Sequence, residues 1–347
     1  DTERYLDQAV ALQEKLLAHN PFRQESYKAL RKIYTANRNA DASWCLCQTL
    51  TLLQLAEPDE ERFYNRMRAE TAAPAQDAFT EEDWSQRVMH PSANPLLTAV
   101  FAIIEPAVVQ ARAQELRQYG FTAEHRIDPA THSAPLAQTL YYAAGVLGIP
   151  LPAVYQNPAD LGGLSFLHTP EPSLVIGRVG LSSQVPAQVA AFVAARQLAY
   201  YRPGMYMRHF ITTGTALKSW LFAAIKLTAP QFPIAADLEG PVTEALAALR
   251  ASLSHDLKDQ LNSVVSKLLQ SGTALDLKRW VAAVDLSADR AGFVVAHDLE
   301  SASQVIHASE EGSAALPNQE RFKELVLYSA SAKYFDLRRR LGITIDS

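Results

Sequence analysis

Cysteine is almost missing from this chain: 347 residues hold two, Cys45 and Cys47. They stand two apart on an expected helix, so their side chains diverge and a disulfide between them is not expected. Nothing suggests a disulfide framework, which favours a reducing compartment and a cytoplasmic location. Positive charge is not in excess either. The formal net charge of −5 excludes the basic field that general nucleic-acid binding needs, so no nucleic-acid partner is expected. Long apolar runs are lacking too. The most apolar helical stretch, 216–227, is short and carries Lys218 and Lys226, which reads as a buried helix rather than a membrane span. No signal-peptide pattern opens the chain. It begins at Asp1, inside a helical pattern and without an initiator Met, and so reads as a fragment or processed product of a longer protein. Several catalytic signatures are also missing. No serine sits in a Gly-x-Ser-x-Gly elbow, and Gly162-Gly163 lacks the context of a phosphate loop. The nine histidines include no pair at i,i+4. His125 and His132, seven apart across a Pro-containing loop, make a poor metal pair, and no metal or cofactor is expected.

What is present is a globular composition, 48% hydrophobic and 20% charged, long enough for two or three domains. Residues 1–70 read as helices. Leu6, Val10, Leu12, Leu16 and Leu17 keep a spacing of three to four, and Asn20-Pro21 breaks it. Tyr27, Leu30, Ile33 and Tyr34 line a second helix. Asn37–Asn39 turn into a third, with Trp44, Cys47 and Leu50, and Glu57-Pro58-Asp59 starts a fourth, with Phe63 and Tyr64. This pattern resembles tetratricopeptide-type repeats, with Arg31 where glycine is usual and Cys47 where an aromatic is usual. About one and a half repeats are too few to stand alone. Either an upstream array preceded them or they pack on the following domain. A generic helical hairpin is the plainer alternative.

Residues 71–95 read as a linker, Ala/Pro-rich and then acidic, with a short helix capped by Thr80 and anchored by Trp84. Residues 96–347 read as one α+β domain, mostly helical, with a small sheet. Its helices are expected over 96–119 (ended by Gly120), 135–147 (ended by Gly148), 186–201, 214–227, 241–253, 255–270, 273–283 and 318–341. Strands are expected at 153–155 and 174–176, with a weaker one within 121–128. His297 and Asp298 are expected on a helix surface, and Arg338-Arg339-Arg340 at a solvated helix C-terminus favoured by the macrodipole.

Leu151–Tyr155 with Pro172–Leu181, the helix ending in Arg196–Tyr200, and Asp285–Gly292 are three segments that, in this order, resemble the M48 family of zinc metallopeptidases. The first joins Leu151–Tyr155 to Pro172–Leu181 and is similar to that family's edge strand and its entry to the active-site helix. The second is the helix ending in Arg196-Gln197-Leu198-Ala199-Tyr200, at the place of His-Glu-x-x-His. The third, Asp285–Gly292, is similar to the Glu-x-x-Ala-Asp-x-x-Gly segment that carries the third zinc ligand. The resemblance covers about residues 135–300 and implies a gluzincin-like fold. In such a fold two histidines one helical turn apart grip zinc, and the intervening Glu takes a proton from the bound water. Here Arg196 replaces the first histidine, Gln197 the base, Tyr200 the second histidine, and Asp285 the third ligand, one methylene short. A guanidinium cannot ligate zinc and Gln cannot accept a proton near neutral pH.

The expected protein is therefore a pseudopeptidase. Arg196 and Asp285 are expected to face each other as a charge pair in place of the metal, with Tyr200 and Asp289 as hydrogen-bond partners. The plainer alternative sends Arg196 to solvent. Leu174, Val175, Ile176, Tyr201, Tyr206 and Arg208 are candidates to line a vacated peptide groove, against ordinary aromatic packing. The functional expectation is a protein-binding scaffold. A metal-independent enzyme in the same cleft and a structural assembly subunit are the alternatives.

Overall fold

The computed structural model describes residues 2–68, 74–309 and 316–345, so parts of the 1–70 and 71–95 segments lie outside the described residues. The chain opens with α1 (Thr2–His19), α2 (Gln24–Ala36), α3 (Ala40–Leu52) and α4 (Pro58–Met67), each packed on the next. Asn39 caps α3 by accepting from the Ala42 amide at 3.0 Å, and Pro58 opens α4 inside a Glu57/Glu60 capping box.

Residues 74–95 are packed rather than linker-like. Phe79, Asp83, Trp84 and Val88 are buried, and the Trp84 indole donates to the Leu147 carbonyl at 3.1 Å. Large apolar side chains in an otherwise Ala/Pro/acidic stretch are what pull it inward. Thr80 does cap the turn, through reciprocal bonds with Asp83. The following segment, Asp83–Val88, winds as a π-helical turn.

Next come α5 (Pro95–Arg112), β1 (Arg126–Ile127), α6 (Pro135–Leu147), β2 (Val154–Asn157), β3 (Leu164–Leu167) and β4 (Ser173–Gly177). The helix expected over 96–119 stops at Arg112, because Ala113 turns to an extended conformation, and Gly120 ends a separate short turn at 116–119. By length and composition α5 would also suffice to cross a membrane, at mean hydropathy 1.3. Its Leu97, Val100, Phe101, Ile104 and Val108 are buried, and it packs on later helices of the chain.

The sheet has the order β1-β2-β4-β3, with β2 and β4 parallel and the outer pairs antiparallel. The remaining helices are α7 (Ala187–Ala199), α8 (Met207–Phe210), α9 (Gly214–Thr228), α10 (Glu239–Ser252), α11 (His255–Gln270), α12 (Leu277–Ala296), α13 (Leu299–Ala308), α14 (Asn318–Ser329) and α15 (Ala332–Arg340). The fold is thus α+β and mostly helical.

Two further expected boundaries move. The helix expected over 273–283 and the motif at 285–292 are one element, α12, because Trp280, Val284, Ala288, Ala291 and Val295 keep helical spacing through the motif. The helix expected over 318–341 breaks at Ser331, whose hydroxyl caps α15 by accepting from the Tyr334 amide at 3.3 Å. One continuous cluster of buried apolar side chains runs from Val10 to Ile343, so the core does not divide at residues 70 or 95.

The pair that positions the site is α7 on α12. Gly292 is the contact point: a Cβ there would lie 2.9 Å from the Phe192 carbonyl oxygen. The Phe192 ring also lies against that position, 3.0 Å from where such a Cβ would stand.

Candidate functional site

Arg196 on α7 and Tyr200 at its C-cap are one helical turn apart, and Asp285 and Asp289 are one turn apart on α12. The Arg196 Nε donates to Asp289 Oδ1 at 2.6 Å and its Nη2 donates to the Tyr200 hydroxyl at 3.1 Å. Tyr200 in turn donates to Asp285 Oδ1 at 2.8 Å. The expected Arg196–Asp285 pair is therefore replaced by Arg196–Asp289. The reason is helix direction: α7 and α12 run antiparallel, so the residue earlier on α7 meets the residue later on α12. Arg196 does not point to solvent, since its side chain is 21% exposed and held on both sides.

Two further guanidiniums close the network. Arg208 of α8 forms a fork on Asp285, with bonds of 3.1 to 3.2 Å. Arg321 of α14 donates to both oxygens of Asp289 at 2.8 and 2.9 Å and is itself buried. Three guanidiniums thus face two buried carboxylates. Gln197 is buried beside the network and joins none of these bonds.

Protonation states reflect this packing. Burial works against the charge of Arg196, but Tyr200, Asp289 and Asp285 outweigh it and raise its pKa. Burial, opposed by Arg196 and reinforced by Asp285, pushes the Tyr200 hydroxyl well above its ordinary value, so it stays a neutral donor. Burial, with the nearby charges of Arg208 and Arg196, drives His209 well below its ordinary value and keeps it uncharged.

The aromatic residues behave as packing. Phe166 of β3 meets the Tyr200 ring edge-on with centroids 5.9 Å apart and lies 4.5 Å from the His209 ring. Tyr201 stacks on Tyr206 at 5.4 Å and donates to the Ser173 carbonyl at 2.8 Å. Tyr206 is buried and its hydroxyl is 2.6 Å from His168 Nδ1. Leu174, Val175 and Ile176 are buried on the inner strand β4, covered by β2 on one side and β3 on the other, so the expected groove along them is filled. β3 is one of the two edges of the sheet, β1 the other. The bond from the Gly177 amide to the Gly163 carbonyl sets the alternation, so Leu164 and Phe166 point their backbone groups outward.

Three other expectations are revised. His297 is half-buried and ends α12 in a left-handed conformation, and Asp298 is a buried cap of α13 held by Arg68 at 2.8 Å; neither is exposed helix surface. Arg338 is buried in a fork on Asp41, at 2.7 and 2.8 Å, so only Arg339 of the basic triplet is exposed as expected. Arg340 pairs with Asp83 at 2.5 Å.

Arg321 escapes the sequence reading. Its signal is there all the same: Arg321, Leu325 and Tyr328 share one face of α14, and a charge on an apolar stripe asks for a buried partner. Among the described residues no three His, Cys, Asp or Glu side chains converge as a metal site would need. No family model, no curated protein and no solved structure matches the chain.

Proposed function

We propose that the chain is a non-catalytic, peptidase-like scaffold that binds protein partners, with repeat-like helices α1–α4 joined to a body built on α7 and α12. One observation carries this reading: both carboxylates at the place of metal chemistry accept bonds from guanidiniums, Asp289 from Arg196 and Arg321 and Asp285 from Arg208. A cationic site of this kind repels a dication, and Gln197 supplies no base. The resemblance to M48 peptidases then describes an architecture retained without its chemistry.

The surface offered to a partner is the free edge of β3, where an extended peptide adds a strand through the outward backbone groups of Leu164 and Phe166. Selection from a displayed-peptide library against the full chain tests this. Enriched peptides should bind the native chain and lose affinity for Leu164→Pro, which removes an outward N–H while sparing the ladder to β4. Equal binding to both proteins defeats the edge reading.

A second reading, a metal-independent enzyme, has one observation behind it: among the described residues the His209 Nε2 has no hydrogen-bond partner. That nitrogen is enclosed, between Phe166 and the edge of Tyr200, which favours the scaffold.

A further inference from the structure

Away from the α7–α12 network, a cavity of about 510 Å³ opens between α5, the π-helical turn and the loop after α7. Such a volume is in the range of small-molecule sites. Its walls are apolar: Met89, Pro91 and Ala93 from the segment after the turn, Ala99 and Ala102 from α5, and Met205 from the loop. Gly204 shapes that loop. At φ +86° it takes a left-handed conformation, and a Cβ there would sit 2.4 Å from the Thr98 carbonyl oxygen, so the loop lies directly on α5.

Two uncharged polar side chains in the walls, Thr98 and His90, are already used. The Thr98 hydroxyl accepts from the Trp280 indole at 2.9 Å and donates to the Asn94 carbonyl at 3.1 Å. The His90 ring accepts from the Ser92 amide at Nδ1 and meets Glu324 at Nε2, both at 3.1 Å. A guest therefore finds few hydrogen-bonding groups along the wall, which disfavours sugars and nucleotides and favours hydrocarbon.

Charge sits on the solvent side. Arg202 lies over the Trp84 ring and pairs with exposed Glu81, while exposed Lys333 has no ion-pair partner among the described residues. Two cations against one carboxylate leave one positive charge for a guest to complement.

We propose that this cavity binds a single-chain amphiphile with an anionic head, a free fatty-acid-type carboxylate, its chain on Met89, Ala99, Ala102 and Met205 and its head beside Lys333. The test is calorimetric titration of the full chain, below the micellar concentration, with dodecanoate, dodecanol and dodecylammonium. Dodecanoate should bind saturably at one per chain and more tightly than the other two. Lys333→Glu, an exposed change, should weaken dodecanoate by roughly five-fold or more and leave dodecanol unchanged. Ala99→Trp, which fills the cavity, should abolish binding of all three. No saturable binding to the native chain overturns the proposal, as does equal binding of the three heads that Lys333→Glu does not alter. If the protein instead sediments with phosphatidylglycerol vesicles and ignores free dodecanoate, the site serves a membrane surface and the free-ligand proposal fails.

Discussion

Asp289 shows what a single residue can hold. It is buried, and two guanidiniums, Arg196 and Arg321, share its oxygens. Replacing it by Asn keeps the shape and removes the charge, which strands a fully buried Arg321. Breaking a buried pair from one side costs about 3–5 kcal/mol. Asp289→Asn should therefore lower the urea midpoint severely, whereas Arg196→Gln, at a side chain with some solvent contact, should cost less; equal losses would contradict this asymmetry. Glu105 gives a second test, by pH. Burial raises its carboxyl from 4.5 to about 8 against opposing bonds from the Gly204 and Met207 amides. With its folded pKa above its unfolded one, the folded chain holds the extra proton. The stabilisation is full below 4.5 and is lost as pH rises toward about 8. Melting temperature should fall across that window, and Glu105→Gln should flatten the fall; parallel profiles for the two proteins would rule out Glu105 as its source.

The α7–α12 pair places these residues. Its closeness rests on Gly292, where a methyl group meets the Phe192 carbonyl and ring at 2.9 and 3.0 Å. Gly292→Ala should force the helices apart and cost about 1–3 kcal/mol in chemical denaturation, and an unchanged midpoint would mean that the contact yields freely. The elements themselves are largely legible in the sequence. Apolar spacing marks α1–α4, α6, α7, α9, α10 and α11, and a run of buried β-branched and aliphatic residues marks β4. What pattern alone cannot show is the partner of each charge. Periodicity sets Arg196 opposite Asp285 because it locates a residue on its own helix but not its neighbour's direction, and the antiparallel crossing moves the pairing by one turn. Boundaries shift where one residue overrides periodicity: Ala113 ending α5, Ser331 restarting the chain as α15. Buried Arg338 reads as solvated because a charge at a helix end looks alike whether or not a carboxylate waits across the core.

At the scale of the molecule, the N-terminal helices are docked on the C-terminal ones by buried polar contacts across most of the chain length. Arg338 grips Asp41, Thr49 and Ser329 share a hydroxyl bond of 2.9 Å, and Gln48 bridges the turn between α12 and α13 through the His297 carbonyl and the Leu299 amide. The short N-terminal helices pack on the rest of the chain. Arg338→Met should then destabilise the whole chain by about 3–5 kcal/mol in one transition, read alike by circular dichroism and tryptophan fluorescence. Separate early melting of the N-terminal helices would mean that they are only loosely attached. We propose that guanidiniums stand between α7 and α12 where the peptidases that the chain resembles hold a metal. The most direct measurement is the equilibrium unfolding midpoint of chelator-treated protein with and without excess zinc, since any ligand that prefers the folded state must raise that midpoint. The account predicts coincident curves; a zinc-dependent rise in midpoint, matched by one bound zinc per chain, would contradict it.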